Sequence, residues 1–461
     1  MSPSPPDSAT AEAARRLLAD LYAVATAAVD PAPALGRRLR TLPDEPGRPV
    51  HLLALGKAAA PMARTAVEVL RERGRAPAGG LVVAPVAEDS PDPALVVQPG
   101  DHPEPRERSR AAADALARAA SRVRPDDEVW VLLSGGTTSL VGAPVEGIPA
   151  DDLSTLYSQL LGSGLDISAM NRIRKRFSRW GGGRLAQALA SGLVRVYVVS
   201  DVIGDDLASI GSGPLVADPT TATEVRELLG RAALWERIPP SARALVVAVE
   251  RGEMPETPKP GHQAFARVTL ELIASNHLAI EAAARRAAEL GLAPVVSGVP
   301  LAGEAWAVGA SVAATLLQHC APVGIPQPES GRQRGSCLIW GGETTVTLGD
   351  REPGLGGRCQ ELALAASREL IGAPRGLALL AAGTDGRDGP TDAAGAIVDG
   401  GTWEAARAAG RDPARDLSAH DAYRALDAAG ALLRPGLTGT NVMDVVIGVC
   451  LEGGGNRLLA R

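Results

Sequence analysis

At 461 residues, 45% of them hydrophobic and 22% charged, the chain is too long for one ordinary core and too apolar to be disordered, so two domains are expected. A net charge of −6 argues against nucleic acid as a partner, which would need clustered Lys and Arg. No stretch approaches about 18 uninterrupted apolar residues, and MSPSPPDSAT has neither a basic head nor an apolar run, so neither a membrane span nor a signal peptide is expected and the chain is read as cytoplasmic.

In chain order, residues 11–29 read as an alanine-rich amphipathic helix. Pro31, Pro33 and TLPDEPGRP then read as loops. HLLALG (51–56) is a short buried strand, and the helical pattern from Lys57 ends at Gly74. Further strands are expected at 80–84, 128–133, 194–200, 267–274, 293–298, 336–340, 377–382 and 443–451. Helical patterns occupy 107–123, 172–190, 277–290, 304–319, 358–370 and 418–429. Such alternation argues for parallel sheets covered on both faces. GEMPETPKPGHQAF (252–265) reads as a linker or long surface loop and 321–335 as another loop, with a domain boundary within 235–265. Cys320, Cys337, Cys359 and Cys450 form no C-x-x-C pair and read as free thiols.

Five strands run into glycine and small hydroxyl residues, the strand ends that line ligand crevices in open α/β sheets. After HLLAL comes Gly56-Lys57-Ala58, where a lysine at a strand–helix turn can reach an anion; the plain alternative is a solvent-facing helix-start lysine. Only three lysines, Lys57, Lys175 and Lys259, occur among 47 basic residues, which favours the functional reading of Lys57. After VWVLL comes Ser134-Gly135-Gly136-Thr137-Thr138-Ser139, whose backbone N–H groups can cradle an anion; it is neither a Walker A loop nor a G-x-G-x-x-G turn. The alternative is a tight turn with a Ser/Thr cap. After VRVYVV, Asp201, Asp205 and Asp206 are candidates for metal binding or for taking a hydroxyl proton, against a capped surface loop. In Gly341-Gly342-Glu343 and Gly356-Gly357-Arg358, Arg358 opens a helix, where a cation is disfavoured unless an anion lies close. In Gly383-Thr384-Asp385-Gly386-Arg387-Asp388, with Thr391 and Asp392 following, carboxylates alternate with glycines in a pattern that suits a hard cation. His102 is the histidine best placed for function, although a structural loop histidine is the stronger reading there.

Together LGKAAAPMA (55–63), GDHPEP (100–105), LSGGTTSLVGAPVEGI (133–148), MNRIRKRFSRWGGGRLA (170–186), VVSDVIGDDLASIGSGP (198–214), SNHLAIEAA (275–283), GGETTVTL (341–348), GGRCQELALAA (356–366), AAGTDGRDGPTDAAGAIVDG (381–400) and TGTNVMDV (438–445) resemble the class II glycerate 2-kinase family, whose C-terminal part is the MOFRL domain. The resemblance covers roughly residues 12–450, and the order and spacing of the segments are more specific than any one of them. It implies two unlike three-layer α/β/α domains: an N-terminal Rossmann-like parallel sheet over 1–250, and a smaller mixed-sheet MOFRL domain over 266–461, with the chain free to cross back. It implies transfer of the ATP γ-phosphoryl group to the 2-hydroxyl of D-glycerate with Mg2+ or another divalent cation. Carried over residue by residue, Lys57, Arg358 and Asp201 are expected to be catalytic. Ser134, Gly135, Gly136, Lys175, Asn276 and Glu343 are expected at the acid. Gly383, Thr384, Asp385 and Thr391 are expected at the nucleotide, with Asp385 and Asp388 at the metal. The expected partners are ATP and a small hydroxy acid, with no nucleic acid and no membrane, and a homodimer is the assembly to test. The family's R-K-H reads Arg174-Lys175-Arg176, its G-R-N-Q-E reads Gly357-Arg358-Cys359-Gln360-Glu361, and its S-G-G-G-S reads Ser134 to Thr138 here; the acceptor acid is therefore less determined than the reaction. A nicotinamide-dependent reductase of the hydroxypyruvate type and a non-catalytic ligand-binding relative are the alternatives.

Overall fold

The computed structural model describes residues 6–320, 335–349, 352–374 and 376–451. The loop expected over 321–335 lies outside them, apart from Gly335, which opens a strand. Two units make up the chain: one spans Pro31–Ile273, and the other joins the residues up to Asp30 to those from Ala274 onward.

The first unit is built on β1 (Val50–Leu55), β2 (Gly79–Ala84), β3 (Leu95–Pro99), β4 (Glu128–Leu133), β5 (Leu193–Val199) and β6 (Val268–Ala274), in the order β3-β2-β1-β4-β5-β6. Strands β1 to β5 pair parallel throughout. β1 and β4 are buried at all six positions, as strands covered on both faces must be, and their sequences are correspondingly continuous apolar runs. Alternate residues (Leu53, Leu55, Leu81, Val83, Val129, Val131, Leu133) pack with Ala112, Ala113 and Leu116 of the helix Glu107–Ala120. The helix Ala59–Glu72 packs on β1 and β2 through Met62, Ala63, Ala66 and Leu70. The strand order reverses between β1 and β4. The connections leaving these two strands therefore diverge, and a crevice opens at their C-terminal ends.

The second unit holds β7 (Ala293–Val296), β8 (Gly335–Gly342), β9 (Leu377–Gly383), β10 (Gly395–Asp399), β11 (Leu432–Leu433) and β12 (Asp444–Leu451), in the order β11-β10-β9-β12-β8-β7. β7 and β8 are parallel and the other pairings antiparallel, so this sheet is mixed. The helix Pro6–Ala28 packs on the helix Asn276–Glu289 and on β9 and β12. Leu17, Leu18, Leu21 and Tyr22 are no more than 2% exposed. Tyr22 Oη donates to the Gly383 carbonyl at 2.7 Å, Arg15 pairs with Asp399 at 2.8 Å, and Arg286 with Asp20 at 2.9 Å. The helix Arg358–Glu369 packs on β9 and β10 and on the helix Ala305–Cys320. Two unlike α/β units, one parallel and one mixed, agree with the expected fold class. Among the described residues no helix is long and apolar enough to cross a membrane.

Several local expectations are corrected. Pro31 and Pro33 do not mark a loop: the helix Pro31–Arg40 starts there, because proline in a first helical turn gives up an N–H that has no intrahelical partner anyway. The single helix expected over 172–190 is two, Ile167–Phe177 and Arg184–Ala188, parted by extended Ser178 and by Gly182 and Gly183 at positive φ. The helix expected over 418–429 is likewise two, Pro413–Ser418 and Ala422–Ala428, on either side of His420 at φ 53°. Strands β3, β10 and β11 and the helices Ala150–Leu161, Ala222–Arg231 and Pro240–Glu250 add to the expected set. The 252–265 stretch is a docked surface loop of the first unit: Thr257 Oγ1 donates to Asp218 at 2.9 Å, and Lys259 Nζ to the Thr220 carbonyl at 2.6 Å.

Candidate active site

In the first unit the loops leaving β1 and β4 are stitched together. Lys57 N–H donates to the Gly135 carbonyl at 2.9 Å, Ser134 N–H to Leu55 at 3.0 Å, and Ala58 N–H to Ser134 Oγ at 3.0 Å. Thr137 Oγ1 donates to the Ser134 carbonyl at 2.7 Å. Gly56 is required here: its φ is +123°, and a Cβ would stand 2.5 Å from the Ser134 carbonyl oxygen. Ser134 thus shapes the turn, holding the start of the helix Ala59–Glu72 with its hydroxyl.

Three ionisable side chains meet on this turn. A Cβ on Gly135 would stand 1.9 Å from Asp201 Oδ2, and one on Gly136 would stand 3.2 Å from His102 Cδ2 and 3.3 Å from Lys57 Cγ. Asp201 follows β5 and His102 follows β3, so Lys57, His102 and Asp201 gather at the C-terminal ends of the sheet. Burial pushes the Asp201 carboxyl above the ordinary aspartate range, and Lys57 and His102 partly oppose that shift. Burial and the Lys57 charge lower the His102 imidazole, so it stays neutral to a lower pH. Asp101 secures the loop carrying His102: its carboxylate accepts from Arg108 Nε at 2.7 Å and from Ser109 N–H at 3.2 Å.

The remaining candidates of this unit lie in other settings. Asp206 accepts from Ser209 Oγ at 2.6 Å and from Ala208 N–H at 3.0 Å, closing its own loop. Lys175, 4% exposed on the helix Ile167–Phe177, has its pKa lowered by burial, with Asp218 and Asp206 opposing. Arg176, 1% exposed, pairs with Glu256 and donates to the Thr220 carbonyl at 3.0 Å.

In the second unit Arg358 does stand at a helix start, and the anions beside it come from this unit itself. Asp444 receives Nε at 2.6 Å and Nη2 at 3.0 Å as a two-pronged pair, and Glu343 lies 2.9 Å from Nη1. Asp444 is buried, whereas Glu343 is partly exposed. The Cys359 thiol is buried beside Asp444, and its pKa is pushed well up, first by burial and then by that carboxylate. Asn276 donates to the carbonyls of Val442 at 2.8 Å and Asp444 at 2.9 Å, so its amide supports the segment bearing Asp444. Thr384 and Thr391 are buried and bonded to backbone: Thr384 Oγ1 donates to Met443 at 2.6 Å, and Thr391 Oγ1 to Asp388 at 2.8 Å. Asp388 accepts from the Gln360 N–H at 2.8 Å, at the start of the helix Arg358–Glu369, and burial pushes its carboxyl up to about 7. Asp385 accepts from Arg387 N–H at 3.0 Å and lies beside Gly383, where a Cβ would stand 3.2 Å from Oδ1. Among the described residues no three His, Cys, Asp or Glu side chains gather as a metal site.

Two residues of these settings were not among the expected site residues. His102 was passed over because a lone histidine in a loop carries no spacing signal. Asp444 sits in the apolar run TNVMDVV, and only the GTN segment before it hinted at a functional end of a strand.

Residues 6–247 match the family model described as "Domain of unknown function (DUF4147)", and residues 336–444 match the MOFRL family. Glycerate 2-kinase of Pyrococcus horikoshii is 38% identical over 401 residues, covering 87% of this chain and 87% of its own. D-glycerate 2-kinase of Thermotoga maritima is 36% identical over 401 residues, covering 87% of this chain and 90% of its own. A putative hydroxypyruvate reductase of Agrobacterium vitis is 37% identical over 435 residues, covering 94% and 93%. The crystal structure of a glycerate kinase from Thermotoga maritima superposes with a TM-score of 0.83 at 34% identity, covering 95% of this chain and 100% of that one. The chain belongs to the class II glycerate 2-kinase family. Of its three departures from the glycerate 2-kinase pattern, Arg176 and Cys359 are both packed inside their units and engaged with protein groups.

Proposed function

We propose that this protein transfers the γ-phosphoryl group of ATP to the 2-hydroxyl of D-glycerate, giving 2-phosphoglycerate and ADP. The observation that carries this reading is the meeting of Lys57, His102 and Asp201 on the Gly135-Gly136 turn at the reversal of strand order. Phosphoryl transfer asks the protein for positioning and charge stabilisation more than for covalent chemistry. In this reading Asp201 orients the 2-hydroxyl and takes its proton as the oxygen bonds to phosphorus and the bond to ADP breaks. Lys57 balances the charge on the transferring group. The side-chain-free Gly135-Gly136 turn lets an anion approach the backbone. His102, kept neutral to a lower pH by burial and by the Lys57 charge, stands beside Gly136. Lys175 remains a candidate for the acid carboxylate. In the second unit Arg358, held by Asp444, is the candidate anion-binding group.

A divalent cation in kinases is held by one or two carboxylates together with nucleotide phosphates. Asp385 fits that requirement. Asp388 is engaged otherwise: it is buried and accepts from the Gln360 N–H at the helix start. When bound, the cation would neutralise phosphate charge.

The test is direct. Protein, ATP, magnesium and D-glycerate are mixed, ADP is followed, and phosphorus NMR identifies the product. Formation of 2-phosphoglycerate is expected; no ADP, or 3-phosphoglycerate alone, refutes the reading. A panel of other hydroxy acids measures how closely the acceptor pocket is fitted to glycerate. Because one relative is named a putative hydroxypyruvate reductase, NADH consumption with hydroxypyruvate is measured in parallel. None is expected, since the turn after β1 reads Gly56-Lys57-Ala58 and lacks a G-x-G-x-x-G fingerprint.

A further inference from the structure

A cavity of about 710 Å3 opens within the first unit. Among its lining residues are Thr138 and Ser139 of the turn after β4, Glu104 and Arg106 of the loop after β3, and Tyr157, Ser158 and Arg174. Tyr157 and Ser158 lie on the helix Ala150–Leu161, and Arg174 on the helix Ile167–Phe177. The Ser134–Ser139 turn therefore borders both the Lys57–His102–Asp201 cluster, at its glycines, and this cavity, at Thr138 and Ser139, whose hydroxyls bond to Ser212 Oγ at 3.0 Å and to the Gly136 carbonyl at 3.0 Å.

Arg174 is the unusual group here. Its guanidinium lies over the Tyr157 ring, 5.2 Å from the centroid. Its Nε is shut off from water and has no hydrogen-bond partner. Arginines on either side are neutralised: Arg172 by Glu224 at 3.6 Å, Arg176 by Glu256 and Arg179 by Asp114 at 2.5 Å. Among the described residues no carboxylate pairs with Arg174. A half-buried guanidinium seated on an aromatic ring, with no carboxylate partner among the described residues, can take a bidentate anion. The volume is that of a pocket for a nucleotide-sized molecule, far more than a three-carbon acid fills.

We propose that this cavity takes the nucleotide, with Arg174 gripping a phosphate against Tyr157 and the exposed Ser158 hydroxyl bonding the remaining phosphates or sugar. The inference rests on the phosphotransfer reading and assigns its donor to a place on the first unit.

The test uses the whole protein and ADP as probe, by titration calorimetry, with D-glycerate titrated separately. Arg174→Ala is expected to weaken ADP at least tenfold and leave D-glycerate within twofold, and Arg174→Lys to recover part of the loss. Because Arg174→Ala could disturb the fold, Ser158→Trp is made as well; Ser158 is exposed at the cavity wall, and the indole should fill the space and weaken ADP by a similar factor. Both variants are checked for unchanged thermal unfolding. ADP binding within twofold of wild type in both overturns the proposal. So does a selective loss of 2-phosphoglycerate binding with ADP untouched, since the cavity would then take a free phosphorylated acid. If ADP binds in an Arg174-dependent way but no glycerate is phosphorylated, the acceptor reading falls and the cavity assignment stands. If glycerate is phosphorylated with a wild-type KM for ATP in both variants, the reverse holds.

Discussion

Lys57 is one of three lysines in a chain whose basic residues are otherwise arginine, and the structure gives a reason for its survival. Its Cγ lies 3.3 Å from the position a Gly136 Cβ would take, with His102 Cδ2 at 3.2 Å, and its exposed end presents a compact ammonium rather than a planar fork. Lys57→Ala is expected to lower kcat by about 10³ or more with the unfolding temperature unchanged, and Lys57→Arg to restore little of it; steady-state kinetics beside thermal unfolding check both. Asp201 makes a separate prediction. Its carboxyl is raised by burial, so it stays protonated to a higher pH than an exposed aspartate, and a proton acceptor must be ionised to act. The acid limb of kcat/KM should therefore lie above the ordinary carboxylate range and disappear, with most of the activity, in Asp201→Asn. A limb near pH 4 would contradict the assignment. Lys57, Asp201 and the Ser134–Gly136 turn stand out in the sequence because rare or chemically distinct residues follow strands and meet glycines, and the structure brings them together. Asp388 carries the same sequence signal in a different setting. An aspartate between glycines looks alike whether it binds a cation or the N–H groups of a helix start, and only the fold decides that Gln360 claims it.

At the scale of elements, the turn after β4 is the most sensitive piece. Gly135 has no positive φ, so alanine there strains nothing in the backbone; its methyl would meet only the Asp201 carboxylate, at 1.9 Å. Gly135→Ala is thus expected to cost one to two orders of magnitude in kcat while leaving stability within about 1 kcal/mol. Gly56→Ala, pressed on backbone at φ +123°, should instead lower stability, and the contrast between the two in urea unfolding and turnover tests the geometry. The start of the helix Arg358–Glu369 carries a pH signature. Asp388 titrates at about 7 when folded and near 4 when unfolded, so the folded state keeps a proton that the unfolded chain releases across that window. Its contribution to stability therefore declines as pH rises from about 4 to about 7 and is lowest above 7. Asp388→Asn, which cannot ionise, should compare more favourably with wild type at pH 8 than at pH 5 in urea unfolding; a difference that ignores pH would count against it. Most strands and long helices were legible from apolar runs and helical periodicity. The failures have physical causes. Proline reads as a breaker although it suits a first turn, as at Pro31, and β10 (GAIVD) and β11 (LL) are too short or too glycine-rich to stand out before neighbours pair with them.

For the whole molecule, the unit boundaries could not be read from composition, since the proline-rich 252–265 segment is pinned inside the first unit while the first helix belongs to the second. Leu17, Leu18, Leu21 and Tyr22 each bury side chains worth roughly 1.5–3 kcal/mol, together comparable to the whole stability of a typical domain, about 5–15 kcal/mol. A chain beginning at Pro31 should therefore lose the folded second unit and keep the first, seen as protease resistance confined to 31–273; resistance in both would contradict this. The same helix has a consequence for biosynthesis. It is made before the first unit, yet of the elements that cover it the helix Asn276–Glu289 follows Ala28 only after 248 residues (276 − 28), and β9 and β12 later still. At about 5–20 residues per second it waits roughly 10–50 s with its leucine face bare. The nascent chain thus offers a sticky amphipathic end to chaperones for as long as the first unit takes to be translated.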